Sequence, residues 1–184
     1  MKNVFRTAVA ASLIVLTGPI VASTMVACGM SLGLKNPNEW LFFQKRVGKD
    51  GKPFNIVKIR TANNGQSTRL TSIVRALHID ELPQLINIFD GDMAFIGPRP
   101  LVQNDFELYC RVLKDARIRH SVLPGLTGLS QVLIDEKESI NSFYERCRLD
   151  IEYARLTDTE RFRTDIFIIL KTIEQLLLMG GNRG

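Results

Sequence analysis

Two adjacent carboxylates are the first residues whose types and spacing suggest chemistry. The stretch Ile79-Asp80-Glu81-Leu82-Pro83-Gln84 sets Asp80 and Glu81 three and two residues before a proline. A carboxylate is ionised at neutral pH and needs no base to become a nucleophile. The same stretch has a structural reading. Proline is tolerated in the first turn of a helix, so Asp80 is expected to cap a helix running through Gln84 to Phe89, with Gly91 ending it. The two histidines, His78 and His120, lie far apart and form no triad with a nucleophile. The three cysteines, Cys28, Cys110 and Cys147, have neither close pairing nor metal-type spacing and read as reduced structural thiols.

The basic residues suggest what such a carboxylate would act on. The formal charge of +5 implies an anionic partner, and nucleic acid, anionic lipid or a phosphorylated substrate would each satisfy it. Gly97-Pro98-Arg99-Pro100 holds an arginine between two prolines in a stiff, non-helical turn, and a guanidinium fork suits phosphate oxygens. A second stiff loop, Pro124-Gly125-Leu126-Thr127-Gly128, leads into Gln131, and its glycines predict close backbone packing. Nucleic-acid binding would call for exposed aromatics interleaved with the basic residues, whereas here the basic residues sit in phosphate-type loops.

These groups must be held by a small number of elements. Residues 42–61 read as a β-hairpin turning at Lys49-Asp50-Gly51-Lys52. On its second strand Phe54, Ile56, Lys58 and Arg60 share one face, which changes from apolar to basic. The basic end either guards a sheet edge or faces a phosphate. A polar loop over 62–68 precedes a helix through Arg75 and Ala76. Residues 143–156 form a mixed-charge helix. Residues 165–179 form a largely apolar one that either packs into a core or lies along a membrane surface.

The N-terminal segment is of a different kind. Residues 7–34 carry no charge, and as helix at ~1.5 Å per residue they exceed the ~30 Å hydrocarbon core. A cleaved signal, a lipoprotein signal ending at Met25-Val26-Ala27-Cys28, a single span and a helix that enters and returns are the competing readings. Gly18-Pro19 near the middle predicts a kink. Lys2 and Arg6 before the run, and Lys35, Lys45, Arg46 and Lys49 after it, would keep both ends on the cytoplasmic side, which suits the returning helix.

The motifs taken together resemble one family, the bacterial monotopic phosphoglycosyl transferases. The resemblance is carried by Phe43-Gln44-Lys45-Arg46-Val47-Gly48, Gly51-Lys52-Pro53-Phe54, Lys58-Ile59-Arg60-Thr61, Asp80-Glu81-Leu82-Pro83-Gln84-Leu85, Gly91-Asp92-Met93, Ile96-Gly97-Pro98-Arg99-Pro100-Leu101 and Pro124-Gly125-Leu126-Thr127-Gly128, in family order over nearly the whole chain. It implies an α+β, mainly helical fold: a re-entrant membrane helix over 1–34 kinked at Gly18-Pro19, then a cytosolic catalytic domain over 35–184 with a small β-hairpin and interfacial amphipathic helices. It implies transfer of a sugar 1-phosphate from a UDP-sugar to undecaprenyl (polyprenyl) phosphate with release of UMP, through an aspartyl phosphosugar, at the bacterial inner membrane. The catalytic pair falls on Asp80 and Glu81, with Asp80 also contacting Mg²⁺. The family's phosphate-binding arginines fall on Arg75 and Arg99, and Lys58, Arg60 and Gln131 are further candidates for contact with substrate phosphates. Membrane lipid is an expected partner, nucleic acid is not, and a homodimer is left open. A catalytically silent membrane scaffold of the same fold is the alternative. Three departures from the family pattern are visible. The commonly acidic position in the first helix, near Ala8, is apolar here. Gly18 stands where Ser is usual, and Leu133-Ile134-Asp135-Glu136 stands where many relatives carry Gly-Arg-Asn.

Overall fold

The computed structural model describes residues 3–134 and 140–181, so Lys2, Asp135 and Glu136 lie outside it. In chain order the elements are α1 (Val4–Ser31), β1 (Leu41–Val47), β2 (Pro53–Ile59), α2 (Arg69–Ala76), α3 (Leu85–Asp90), β3 (Ala94–Ile96), α4 (Gln103–Val112), β4 (Gly125–Thr127), α5 (Leu129–Leu133), α6 (Ile140–Arg155) and α7 (Asp158–Gly181). Short 3₁₀ stretches run over Ile79–Gln84 and Ala116–Ser121. The fold is α+β and mainly helical, as expected. β1 and β2 pair as the expected hairpin, turning at Lys49–Gly51 with Asp50 and Gly51 at positive φ. A second sheet, which the sequence does not announce, pairs β3 and β4 in parallel, Ala94 with Gly125 and Ile96 with Thr127.

Contacts divide the chain into two compact units, Met1–Gln44 with Asn55–Gly91 and Met179–Gly184, and Lys45–Phe54 with Asp92–Leu178. In the first, α1 packs against α2, α3 and the 3₁₀ stretch between them. Its inner face recurs every three or four residues through Ala10, Ile14, Thr17, Val21, Met25 and Cys28, while Phe5, Val15, Leu16 and Met30 are exposed opposite. Cys28 is fully buried with Ile59 and Val74, and Val21, Met25 and Ile79 pack around them. Its sulfur is thus a core group. All three cysteines are free thiols. α1 is helical through Pro19, whose missing N–H leaves the Val15 carbonyl without its helical donor. Among the described residues it is the one helix long and apolar enough to cross a membrane.

Two sequence expectations need correcting. Asp80 is not a helix cap: His78, at φ 54°, precedes the 3₁₀ stretch, Asp80 is its second residue, and α3 begins only at Leu85. Pro83 cannot donate a backbone bond, which favours a tight 3₁₀ run over a continuous helix. The last helix begins at Asp158, seven residues earlier than its apolar pattern suggests. Thr157 and Glu160 form a reciprocal cap there: the Thr157 N–H and hydroxyl donate to Glu160 Oε2 at 3.0 and 2.7 Å.

α7 buries Ile168 completely but exposes Phe162, Leu170, Leu177 and Leu178, each more than 60% accessible. Ile168 packs with Val132 and Tyr153, and two polar contacts add to this: the Thr127 and Thr172 hydroxyls meet at 2.8 Å, and Gln175 Nε2 donates to the Val132 carbonyl at 3.2 Å.

Candidate active site

The first unit assembles most of the sequence-predicted groups. β2 supplies Lys58, whose Nζ pairs with Glu81 Oε1 at 2.5 Å with both side chains largely buried. α2 supplies Arg75. Its Nη2 and Nε donate to the Thr61 hydroxyl at 3.0 and 3.3 Å, and Nη1 has no bond among the described residues. Thr68 and Thr71 form a reciprocal cap at the start of α2, which fixes the helix carrying that arginine. Arg60 is placed otherwise: its Nε donates to the Glu39 carbonyl at 2.6 Å, with the guanidinium 5.7 Å from the Phe42 ring centroid.

Asp80 is 6% exposed, with Oδ1 buried and without a hydrogen-bond partner. One turn on, Gln84 is 2% exposed and its Nε2 is likewise unmet. A buried polar atom without a partner is disfavoured by about 1–3 kcal/mol, so native folds rarely leave one without a purpose. Burial, and after it the neighbouring Glu81 carboxylate, hold the Asp80 carboxyl above the usual carboxylate range; Lys58 and His78 pull it back down. Lys58 is thus committed to Glu81, while Asp80 keeps an oxygen turned inward with no cation bonded to it.

Sequence reasoning missed the residue that ties these elements together. Asn87 of α3 is 4% exposed; its Oδ1 accepts from the Val57 N–H at 3.1 Å and its Nδ2 donates to the Asn55 carbonyl at 2.7 Å. Both bonds go to β2, so the helix that follows Asp80 is pinned to the strand that presents Lys58.

The second unit carries Arg99 and Gln131. Arg99 is exposed between Pro98 and Pro100, which are both buried, so the rigid turn read from the sequence is present with its guanidinium outward. The glycine loops explain the turn's position. A Cβ on Gly97 would overlap the Leu123 carbonyl, and one on Gly125 or Gly128 would overlap the backbone of Gly97. Backbone lies directly on backbone there. Gln131 Nε2 donates to the Leu126 carbonyl at 3.3 Å, leaving Oε1 buried and unmet.

A magnesium ion is compatible with these groups. Among the described residues no cluster of three His, Cys, Asp or Glu side chains could form an all-protein cage. Magnesium is, however, commonly held by one or two carboxylates together with substrate phosphates, and Asp80 Oδ1 is an anionic oxygen of that kind without a partner.

The comparisons with known proteins identify the family. The chain is 34% identical over 192 residues to a UDP-glucose:undecaprenyl-phosphate glucose-1-phosphate transferase of Caulobacter vibrioides, covering 96% of this chain and 69% of that protein. It is 34% identical to the uncharacterized sugar transferase EpsL of Bacillus subtilis, covering 98% of this chain and 89% of that one. A UDP-N-acetylgalactosamine-undecaprenyl-phosphate N-acetylgalactosaminephosphotransferase of Aeromonas hydrophila is 31% identical, over 90% of this chain and 42% of that protein. The bacterial sugar transferase family matches residues 1–179. With a match over nearly its full length, and the first two of these relatives aligned along most of theirs, the chain belongs to the bacterial sugar transferase family.

Proposed function

We propose that this chain moves a sugar 1-phosphate from a UDP-sugar to undecaprenyl phosphate at the cytoplasmic face of a bacterial inner membrane, with Asp80 as nucleophile. The observation that carries the reading is the buried, unmet Oδ1 of Asp80, in a chain that matches sugar transferases over residues 1–179. In the first step Oδ1 bonds to the sugar-bearing phosphorus. The bond from that phosphorus to the bridging oxygen breaks, and its electron pair leaves with UMP. In the second step an oxygen of undecaprenyl phosphate bonds to the same phosphorus and displaces the Asp80 carboxylate with its electron pair. A phosphate monoester has its second ionisation near ~6, so the acceptor needs little help from a base.

Charge is the main obstacle, since an anion approaches a diphosphate and then a second anion follows it. Arg75 and Arg99 bind the donor phosphates in this reading, with Lys58 and Arg60 contributing positive charge and Gln131 a polar contact. Lys58 also holds Glu81 in place, leaving Asp80 free to attack. Magnesium, held by Asp80 and donor phosphate oxygens, would supply further neutralisation of the developing charge.

The anchor follows the same logic. A helix bent at Gly18-Pro19 returns both basic flanks to one side, and the Thr17 and Ser23 hydroxyls, which bond back to the Leu13 and Pro19 carbonyls, favour bending around that point. The exposed apolar side chains of α7 suit a helix lying along the bilayer surface. The test is UMP release from a panel of UDP-sugars with undecaprenyl phosphate, beside radiolabelled donor incubated without acceptor. Acceptor-dependent UMP release and acid-quench trapping of label on protein support the reading. No release with any donor would favour a silent scaffold, and release without a trappable adduct would remove the covalent step. Accessibility labelling that put residues 1 and 35 on opposite faces would remove the re-entrant anchor.

A further inference from the structure

The largest fully buried side chain among the described residues of the second unit belongs to Arg119, which the mechanism above does not use. It is 2% exposed. Its Nη2 and Nε donate to Asp150 Oδ2 at 2.5 and 3.2 Å, and Asp150 Oδ1 accepts from the Ser130 hydroxyl at 2.7 Å. Nη1 lies 3.3 Å from His120 Nε2, and His120 Nδ1 lies 3.0 Å from the Gly48 carbonyl. A guanidinium can only donate, so His120 accepts through Nε2 and donates to Gly48 through Nδ1. One further bond remains: Arg119 Nη2 donates to the backbone carbonyl of Arg99 at 2.8 Å.

That bond falls at the centre of the Pro98-Arg99-Pro100 turn, and its neighbours are clamped as well. The Gly97 N–H donates to the Thr127 carbonyl at 2.9 Å, and the Pro98 carbonyl accepts from the Gly125 N–H at 3.0 Å. The Pro100 carbonyl accepts from Arg46 Nη1 at 3.1 Å. Pro100 restricts Arg99 to extended backbone. The direction in which the Arg99 Cα–Cβ bond leaves the turn is then set by the orientation of its own peptide plane, which Arg119 holds. Asp150 and Ser130 in turn keep Arg119 from rotating.

We infer that Arg119 is a positioning residue, which aims Arg99 at the donor diphosphate through the Arg99 carbonyl. This rests on the reading of Arg99 as a phosphate ligand, and a double-mutant cycle separates the two. Steady-state kinetics are measured on the full-length chain in lipid nanodiscs, with a UDP-sugar it accepts and with undecaprenyl phosphate. Arg119→Lys keeps the buried charge but cannot reach Asp150, His120 and the Arg99 carbonyl together. It is expected to raise the donor KM about tenfold with the acceptor KM unchanged, and to raise the donor KM less than about twofold when added to Arg99→Ala. A merely structural role would lower the active fraction, and so kcat, with the donor KM unmoved. That result, or an equal effect in both backgrounds, overturns the inference. Should Arg99→Ala by itself leave the donor KM unchanged, the phosphate assignment fails instead. If Arg119→Lys does not fold, Ser130→Ala, which loosens Asp150 from the far side, enters the same cycle with an expected rise of about threefold.

Discussion

Each unit of this chain buries a carboxylate, and the two are treated in opposite ways. Asp150, 3% exposed, has both oxygens met: Ser130 on one, two arms of Arg119 on the other. Asp80, 6% exposed, keeps one oxygen unmet, and its acidic neighbour Glu81 takes the lysine. Burial is nearly equal, so depth in the fold does not distinguish scaffold from chemistry. Satisfaction of hydrogen bonds does. A fully met network lowers the energy of one arrangement and resists change, whereas an unmet acceptor is held ready for a group that arrives later.

The largest effect should come from Asp80. Asp80→Asn is nearly isosteric but has no anion to attack with, and a nucleophile substitution is expected to lower kcat by at least about 10³-fold, roughly 4 kcal/mol. Because the Asp80 carboxyl is held above the usual range, its anion is disfavoured in the fold and lowers stability at neutral pH. The melting temperature of Asp80→Asn should therefore equal or exceed that of the wild type. Substantial turnover, with deamidation excluded by mass spectrometry, would end the nucleophile assignment. A melting temperature several degrees lower would mean that Asp80 is a satisfied structural group like Asp150.

Asp150→Ala is the converse experiment. Removing one partner leaves Arg119 charged in a buried site, and breaking such a pair typically lowers stability by about 3–5 kcal/mol. Denaturant unfolding in nanodiscs should show that loss. A change below about 1 kcal/mol would mean that the Arg119–Asp150 pair contributes nothing distinctive. Glu81→Gln, which removes a partner from the less enclosed first-unit pair, should lower stability less.

How far this contrast could be read from sequence depends on the range of the contacts. The proline-bracketed Arg99 and the glycine loops are local patterns found where their residues indicate, whereas Asp80-Glu81, equally local, lies in a 3₁₀ stretch instead of capping a helix. The Thr157-x-x-Glu160 cap was equally local and would have set the start of α7 correctly. Arg119, Asp150 and Asn87 look like ordinary solvated residues because their partners are about thirty positions away. One signal was available for Asp150. On a helix it shares the face of Cys147, Ile151 and Ala154, and an acid among apolar neighbours at spacings of three and four is a buried acid. The parallel pairing of β3 with β4 left no trace, since three-residue strands have too little alternation to notice.

The two regions should also respond oppositely to acid. Burial, and after it the Arg119 charge, lower His120 from its ordinary value to about 4. In the unfolded chain the ring takes its proton near 6.5, so as pH falls from about 6.5 to 4 the unfolded state binds a proton that the fold refuses. Stability present above pH 6.5 should therefore be lost across that window, by up to about 3 kcal/mol, and His120→Asn should flatten the slope. Asp80 has the contrary sign: its raised carboxyl stabilises the protonated fold, and that contribution is lost as pH rises through its folded value. A wild-type unfolding profile no steeper over pH 4 to 6.5 than that of His120→Asn would remove His120 from the account.

The finest test concerns why Asp80 is raised. Burial is the larger cause and Glu81 the second, with Lys58 and His78 opposing both. The acid limb of kcat/KM reports the free enzyme's essential ionisation, so it should lie above the ordinary aspartate range. Glu81→Gln removes the second cause and frees Lys58 from its pair, and both changes favour the Asp80 anion. The limb should move to lower pH without reaching the ordinary range, because burial is untouched. The plateau will fall as well, yet the position of a limb does not depend on its height. If the limb stayed put or moved upward, the ionisation being watched would belong to some other group, and the unmet oxygen of Asp80 would need a different explanation from the one that sets it apart from Asp150.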